Sequence, residues 1–358
     1  MLYDTKTPLD MVLYNEFITY KELQKIIPRE FNGDNNTKTI NVYIDLYQFL
    51  VTAFRYTRIG NFFNICSCIV NYCAHIRNYF NTRHKVYTNI CLVYSSNDST
   101  NNTQFVPTYN YDYNTRIKFN VKIKDNVEEN MKLVRLLVPY LPNVFLKEGT
   151  VETSVIIHNI IQKKLLGDNP SLVLSNSQLM YQLPINNKDT VVIRKDLRIR
   201  IPDGRDRTYS YNHTNSLHAY IYELKKKNIR EYLNQKTISF MMTLIGIPKR
   251  NIKSLCAYPT ALSISKLVPL GCEYDSEVLY DVCSDYYKSK NRRSVPIIKE
   301  QFIRTFKCVD LNYQYKLYKL LPEYKEESFI KQDLDDVEGV QYINNTYFKD
   351  SPLNLEFF

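Results

Sequence analysis

The sequence contains no tryptophan and only 8 glycines in 358 residues. Asn, Ile, Lys and Tyr are frequent instead, with 31 tyrosines. These four have AT-rich codons, so a strongly AT-rich genome, a viral one among them, accounts for the bias without a functional cause. The tyrosines are therefore not read wholesale as base-stacking platforms. No run approaches the roughly 18 apolar residues of a membrane-spanning helix. The N-terminus, Met1 to Asp10, lacks a basic segment followed by an apolar core, so no signal peptide is expected. The expected location is the host-cell cytoplasm, with packaging into a virion from that pool as an option. None of the eight cysteines (Cys66, Cys68, Cys73, Cys91, Cys256, Cys272, Cys283, Cys308) forms a C-x-x-C pair. Zinc wants paired ligands, so reduced, buried structural thiols are expected. His75, His84, His158, His213 and His218 show neither H-x-x-x-H nor H-E-x-x-H spacing. There is no P-loop, no G-x-G-x-x-G, no internal repeat and no Gly-Ser linker.

What is present is the material of a globular protein. Hydrophobic residues make up 44%, and the length suits one large or two ordinary domains. Formal net charge is +10, from 47 Lys+Arg against 37 Asp+Glu. That excess suits a polyanionic partner, of which nucleic acid is the commonest, or marks a soluble protein that is simply basic.

β-branched runs predict strands at Ile40–Leu46, Asn89–Tyr94 and Ser171–Leu174. Thr190–Arg194 and Leu197–Ile201 read as a hairpin pair. Helical spacing covers Phe49–Phe80, Glu129–Val138, Val151–Lys164 (amphipathic), Gln178–Leu183 and Tyr232–Leu244. The segment 106–128 has no clear signal, and the chain from Ala257 reads as mostly helical. Strands alternating with helices predict an α/β fold with a mainly parallel sheet. In such sheets ligands bind at the carboxyl ends of strands, and Asp45 ends the first one.

Taken in order, four strings resemble the PIN-like 5′-nucleases, the flap endonucleases and phage-type 5′–3′ exonucleases, from about Ile40 to Leu267. The family opens with an acid-bearing strand, as Tyr43-Ile44-Asp45-Leu46 does. Its second strand ends V-F-D, matched by Val93-Tyr94-Ser95. Its G-x-E-A-D-D-V-I helix start is matched by Gly149 to Ile156, with Val151, Glu152, Thr153 and Ser154 at the Glu-Ala-Asp-Asp positions. Its S-G-D-x-D-L-L-Q-L is matched by Ser175 to Leu183, with Ser177 and Leu179 in place of acids. Its L-x-G-D-x-S-D-N-I is matched by Leu244 to Ile252, with Ile247 and Arg250 in place of acids, and Thr260-Ala261-Leu262 follows. The resemblance implies a PIN-like domain at 40–235 after an extension at 1–39. It further implies a degenerate helix-hairpin-helix region at 236–270 and a helical extension at 271–358.

The resemblance also implies a two-metal phosphodiesterase. Two divalent ions about 4 Å apart clamp the attacking water and the leaving oxygen, and Mg²⁺ or Mn²⁺ needs carboxylates for this. Only Asp45 keeps its acid. Glu152 lies one residue from the lost Glu, about 100° around a helix, and cannot simply substitute for it. No metal site and no cofactor are therefore expected. Arg250 either pairs with Asp45, replacing the metal's charge, or is a surface residue. The hairpin turn Lys253–Tyr258 has no Gly for close approach to a phosphate, which leaves Lys249, Arg250 and Lys253 as side-chain contacts.

Three basic clusters stand out, each of which is otherwise a solvated face. They are Arg194, Lys195, Arg198, Arg200, Arg205 and Arg207; Lys225, Lys226 and Lys227 with Arg230; and Lys288, Lys290, Arg292 and Arg293. The first reading is a non-catalytic protein that binds nucleic acid, with DNA the expected form, or serves a viral replication, transcription or virion assembly. The second is an active Mg²⁺- or Mn²⁺-dependent nuclease with a displaced site built from Asp45, Asp98, Glu148 and Glu152, with Asp45 and Glu152 catalytic. The third is a purely structural protein. None of the three calls for a membrane.

Overall fold

A computed structural model of the chain describes residues 39–47, 49–50, 69, 73–74, 76–78, 80–81, 86–95, 121–175, 177–183, 190–193, 199–200, 206–207, 235–247, 250–268, 275–290 and 295–320, with 329, 338, 341–342 and 345–346. Five parallel strands form the main sheet: β1 (Thr39–Asp45), β2 (Tyr87–Ser95), β3 (Val144–Gly149), β4 (Ser171–Leu174) and β5 (Thr190–Ile193). Their order is β3-β2-β1-β4-β5. The chain thus builds outward from β1 in one direction and then in the other. That reversal puts the topological switch point at the carboxyl ends of β1 and β4, where such sheets hold ligands.

β1 and β4 are buried along nearly their whole length. Continuous Val/Ile/Leu runs suit strands covered on both faces. Asn41 is a buried polar residue inside β1. Its side chain donates to Leu166 O at 3.2 Å and accepts from its cross-strand neighbour Asn89 at 3.1 Å, so its burial is compensated.

α1 (Val121–Leu137) carries the chain from β2 to β3, and α2 (Thr153–Gln162) from β3 to β4. α1 begins eight residues before the predicted start, because its first turns are too rich in Lys, Asp and Asn to show apolar spacing. β3 was not foreseen. It follows a turn at Pro142-Asn143, with Asn143 at φ 51°, and its Lys147-Glu148 ending masks the strand pattern. α2 is not amphipathic. Every residue from Thr153 to Ile161 is buried, because the sheet lies on one side and a C-terminal helix on the other.

The predicted hairpin is corrected too. Thr190–Ile193 lies parallel to β4, while the short strands β6 (Ile199–Arg200) and β7 (Asp206–Arg207) pair with each other. Thr190-Val-Val-Ile is uniformly apolar and gains more by extending the buried sheet than by pairing with a basic strand.

The C-terminal part is helical: α3 (Gln235–Ile245), α4 (Tyr258–Ser265), α5 (Ser276–Ser289), α6 (Lys299–Val309) and α7 (Leu311–Tyr318). α3 packs on α4 and α6, α5 on α6, and α7 on α2. One apolar cluster runs from Tyr43 and Val93 through Val155, Met241 and Phe302 to Tyr318.

A buried polar knot ties these parts together. Ser239 Oγ lies 2.8 Å from Gln182 Oε1 and 2.9 Å from Asp310 Oδ2. Gln182 Nε2 donates to Val309 O, and Gln182 Oε1 accepts from Leu311 N–H. Asp310 caps α7 by accepting from Tyr313 N–H at 2.7 Å. The five described cysteines are free, four of them buried, as expected. Burial pushes the Cys73 thiol up to about 12, so it stays protonated.

Candidate functional site

The residues at the motif positions meet at the carboxyl edge of the sheet. Asp45 ends β1 and is 4% exposed. Ser175, just past β4, donates from Oγ to Asp45 Oδ2 at 2.8 Å and accepts from Ser177 N–H at 3.1 Å. Adjacent strands β1 and β4 thus join their ends through a hydroxyl, where the resemblance implies a metal. Ser95 ends β2 beside Gly149 of β3. The Ser95 and Ser177 hydroxyl oxygens, both at positions where the family carries acids, are buried without a hydrogen-bond partner. Leaving a hydroxyl so costs roughly 1–3 kcal/mol.

Gly149 and Ile156, the first and last residues of the helix-start motif, touch each other. A Cβ at Gly149 would stand 2.7 Å from Ile156 Cδ1. Glu152 follows as the residue capping α2, and its carbonyl accepts from Val155 and Ile156 N–H. Its carboxylate does not cap the helix. It pairs with Arg250 Nη1 at 3.4 Å and accepts from Ser154 Oγ at 3.4 Å. The Glu152 side chain is 3% exposed and that of Arg250 17%. Arg250 is thus ion-paired with Glu152, and at 17% exposure it is not the free surface residue of the second sequence reading. A buried carboxylate at a helix N-terminus gains from the helix dipole but still needs a cation nearby.

The hairpin that delivers Arg250 explains the Gly-Asn-Ile spacing. Gly246 ends α3 at φ +74°, and a Cβ there would lie 2.5 Å from Ile252 O. Only glycine fits both demands. Ile247 and Ile252 exchange backbone hydrogen bonds, and Asn251 takes the left-handed conformation at φ 56°. Arg250 N–H closes the turn on Ile247 O at 2.9 Å, which fixes the backbone from which the guanidinium reaches Glu152.

A second arginine holds the neighbouring glutamate, Glu148. Arg135 of α1 grips Glu148 of β3 through Nε (3.1 and 2.9 Å) and Nη2 (2.7 Å). Next to it Tyr94 donates to Glu128 at 2.7 Å. Burial first and Glu128 second push its phenol well above the ordinary range, so it remains a donor.

Of the predicted nucleic-acid contacts, Arg194, Lys195, Arg198, Arg205, Lys225, Lys226, Lys227 and Lys249 lie outside the described residues. Arg200 and Arg207 are placed by backbone only, in β6 and β7. Lys253 is exposed, and Arg250 is turned inward. Asp98 also lies outside the described residues. Among the described residues no group of three or more His, Cys, Asp or Glu side chains could hold a metal ion. The donor set does not suit a two-ion cluster: Asp45 is bonded to Ser175, while Glu148 and Glu152 each carry their own guanidinium. Two participants escaped the sequence reading, Ser175 as partner of Asp45 and Arg135 as partner of Glu148. An arginine 13 residues before an acid, across a turn and a strand, gives no local signal.

No family model matches the sequence, and no curated protein matches it. Among solved structures, the T5 D15 protein co-crystallised with metal ions is 10% identical at a TM-score of 0.44, covering 87% of this chain and 94% of its own. A pseudo-enzyme–product complex of the bacteriophage T5 D15 flap endonuclease with DNA and metal ions is 11% identical at 0.45, covering 89% and 96%. The T5 5′-exonuclease with bound zinc is 12% identical at 0.46, covering 77% and 90%.

Proposed function

We propose that the protein is a non-catalytic, nucleic-acid-associated protein on a 5′-nuclease-like scaffold. One observation carries this: each described acid at the sheet edge is engaged by the protein's own groups. Asp45 takes a hydroxyl, Glu148 a bidentate guanidinium and Glu152 a buried one. Two-metal hydrolysis needs carboxylates that share ions, because the ions carry most of the developing charge. A carboxylate already paired with arginine is a poor ligand for a hard cation. Serine at 95 and 177 adds neutral oxygen only.

The displaced-site alternative would have to free both glutamates at once. Nucleic acid as partner is supported by the net charge of +10, with DNA the expected form. The AT-rich composition supports a place in a viral replication, transcription or virion assembly, in the host cytoplasm or packaged.

The test is cleavage of flap, nicked and single-stranded DNA with Mg²⁺ or Mn²⁺, wild type against Asp45→Ala/Glu152→Ala. No cleavage by either is expected. Cleavage by wild type that vanishes in the double variant would overturn the proposal, while cleavage equal in both marks a contaminant.

A further inference from the structure

We propose that the corner between α6 and α7 is a nucleic-acid-binding surface, on which Lys307, Lys316 and Lys319 contact backbone phosphates around Tyr313. This rests on the nucleic-acid reading above and adds a surface outside the basic clusters of the sequence. On the neighbouring helices, three cations have counter-charges: Lys288 with Asp285, Lys299 with Glu277 and Arg304 with Glu300. Among the described residues Lys307, Lys316 and Lys319 have no carboxylate partner. Lys307 Nζ instead lies 5.5 Å from the Tyr313 ring centre, and Lys319 Nζ 4.3 Å from that of Tyr315.

α7 itself carries no counter-charge. From Leu311 to Leu320 there is no acid. The acid before it, Asp310, is buried and bonded to Ser239 and Tyr313 N–H, so it faces inward; the next acid after it, Glu323, lies outside the described residues. Leu311, Gln314 and Tyr318 form the buried face of α7. Tyr313, Lys316 and Lys319 follow at intervals of three, so neighbouring positions on the helix surface carry them, with Lys316 and Lys319 exposed. Cations on an outward face with no acid in reach among the described residues are suited to a ligand bearing repeated negative charge. Lysine, a point charge on a flexible stem, suits phosphates spaced along a backbone, and the half-buried tyrosine offers a ring against which a base can stack.

The experiment is anisotropy of a fluorescein-labelled single-stranded DNA across a salt series. The comparison is wild type against Lys307→Gln/Lys316→Gln/Lys319→Gln, with folding checked by circular dichroism. The triple variant is expected to lose about tenfold in affinity at low salt and to lower the log–log salt slope by about two. The corresponding Lys→Arg triple should bind as wild type does, and so should Lys299→Gln/Arg304→Gln. Wild-type affinity and slope in the Lys→Gln triple would overturn this surface while leaving the nucleic-acid reading standing. No binding by wild type at low salt would overturn both. Equal competition by poly-glutamate would overturn the assignment to nucleic acid.

Discussion

Glu148 and Glu152 stand four residues apart, on either side of Gly149, and each meets an arginine from a distant part of the chain. The Arg135–Glu148 pair is bidentate and geometrically the better of the two, yet its side chains are 36% and 31% exposed. The Arg250–Glu152 pair meets at 3.4 Å, with 17% and 3% exposure. Water screens the first and hardly reaches the second. Burial, more than contact geometry, decides what each pair does. The first trims the surface of α1 against β3. The second joins the hairpin after α3 to the start of α2, and so closes the sheet edge.

The largest expected effect follows from breaking the buried pair on one side. Arg250→Met leaves Glu152 buried without its cation and should cost about 3–5 kcal/mol in urea unfolding. Replacing both, as Glu152→Leu/Arg250→Met, should recover most of that loss, since a buried pair is strongly destabilising only when halved. A double variant no more stable than the single one would show that the pair's packing, and not its charge balance, closes the edge.

The next effect sharpens the contrast with a buried group that has no counter-charge. His158 of α2 is buried, bonded through Nε2 to Asn312 Oδ1 at 3.0 Å, with its ring edge-on to Tyr315. Burial lowers its pKa from 6.5 to about 4. Between those values the unfolded chain binds a proton that the folded chain refuses, so stability falls as pH drops from 6.5 towards 4. The full contribution is about 3 kcal/mol and is constant above pH 6.5. Urea midpoints measured across this range should flatten in His158→Gln.

The smallest effect belongs to the exposed pair. Arg135→Gln should cost no more than about 1 kcal/mol, and added salt should shrink that difference. A loss as large as that of Arg250→Met would break the comparison, because exposure would then not rank the two pairs.

The parts of this architecture that local pattern encodes were legible in the sequence. β-branched runs marked β1, β2 and β4, and the Gly246…Asn251-Ile252 motif stood out, although the reading placed the turn after it, at Lys253–Tyr258, while the backbone turns within it and requires glycine and a left-handed residue there. That residues 95, 177, 247 and 250 are not acids, where the resembled family has them, was visible by position. What replaced them was not. Glu152 finds Arg250 across 98 residues, and Ser175 finds Asp45 across 130. Such pairings are made by topology, and no local spacing announces them. β3 failed for a related reason. A strand that ends in Lys-Glu reads as polar, until the fold supplies Arg135 for Glu148 and the Phe329 ring, 5.6 Å from its centre, for Lys147.

The central claim is that the acids at the sheet edge serve the protein and not a metal. Calorimetric titration of Mn²⁺ into wild type and Asp45→Ala tests it most directly. The account expects no micromolar binding in either protein. A micromolar site in wild type that disappears in Asp45→Ala would contradict it.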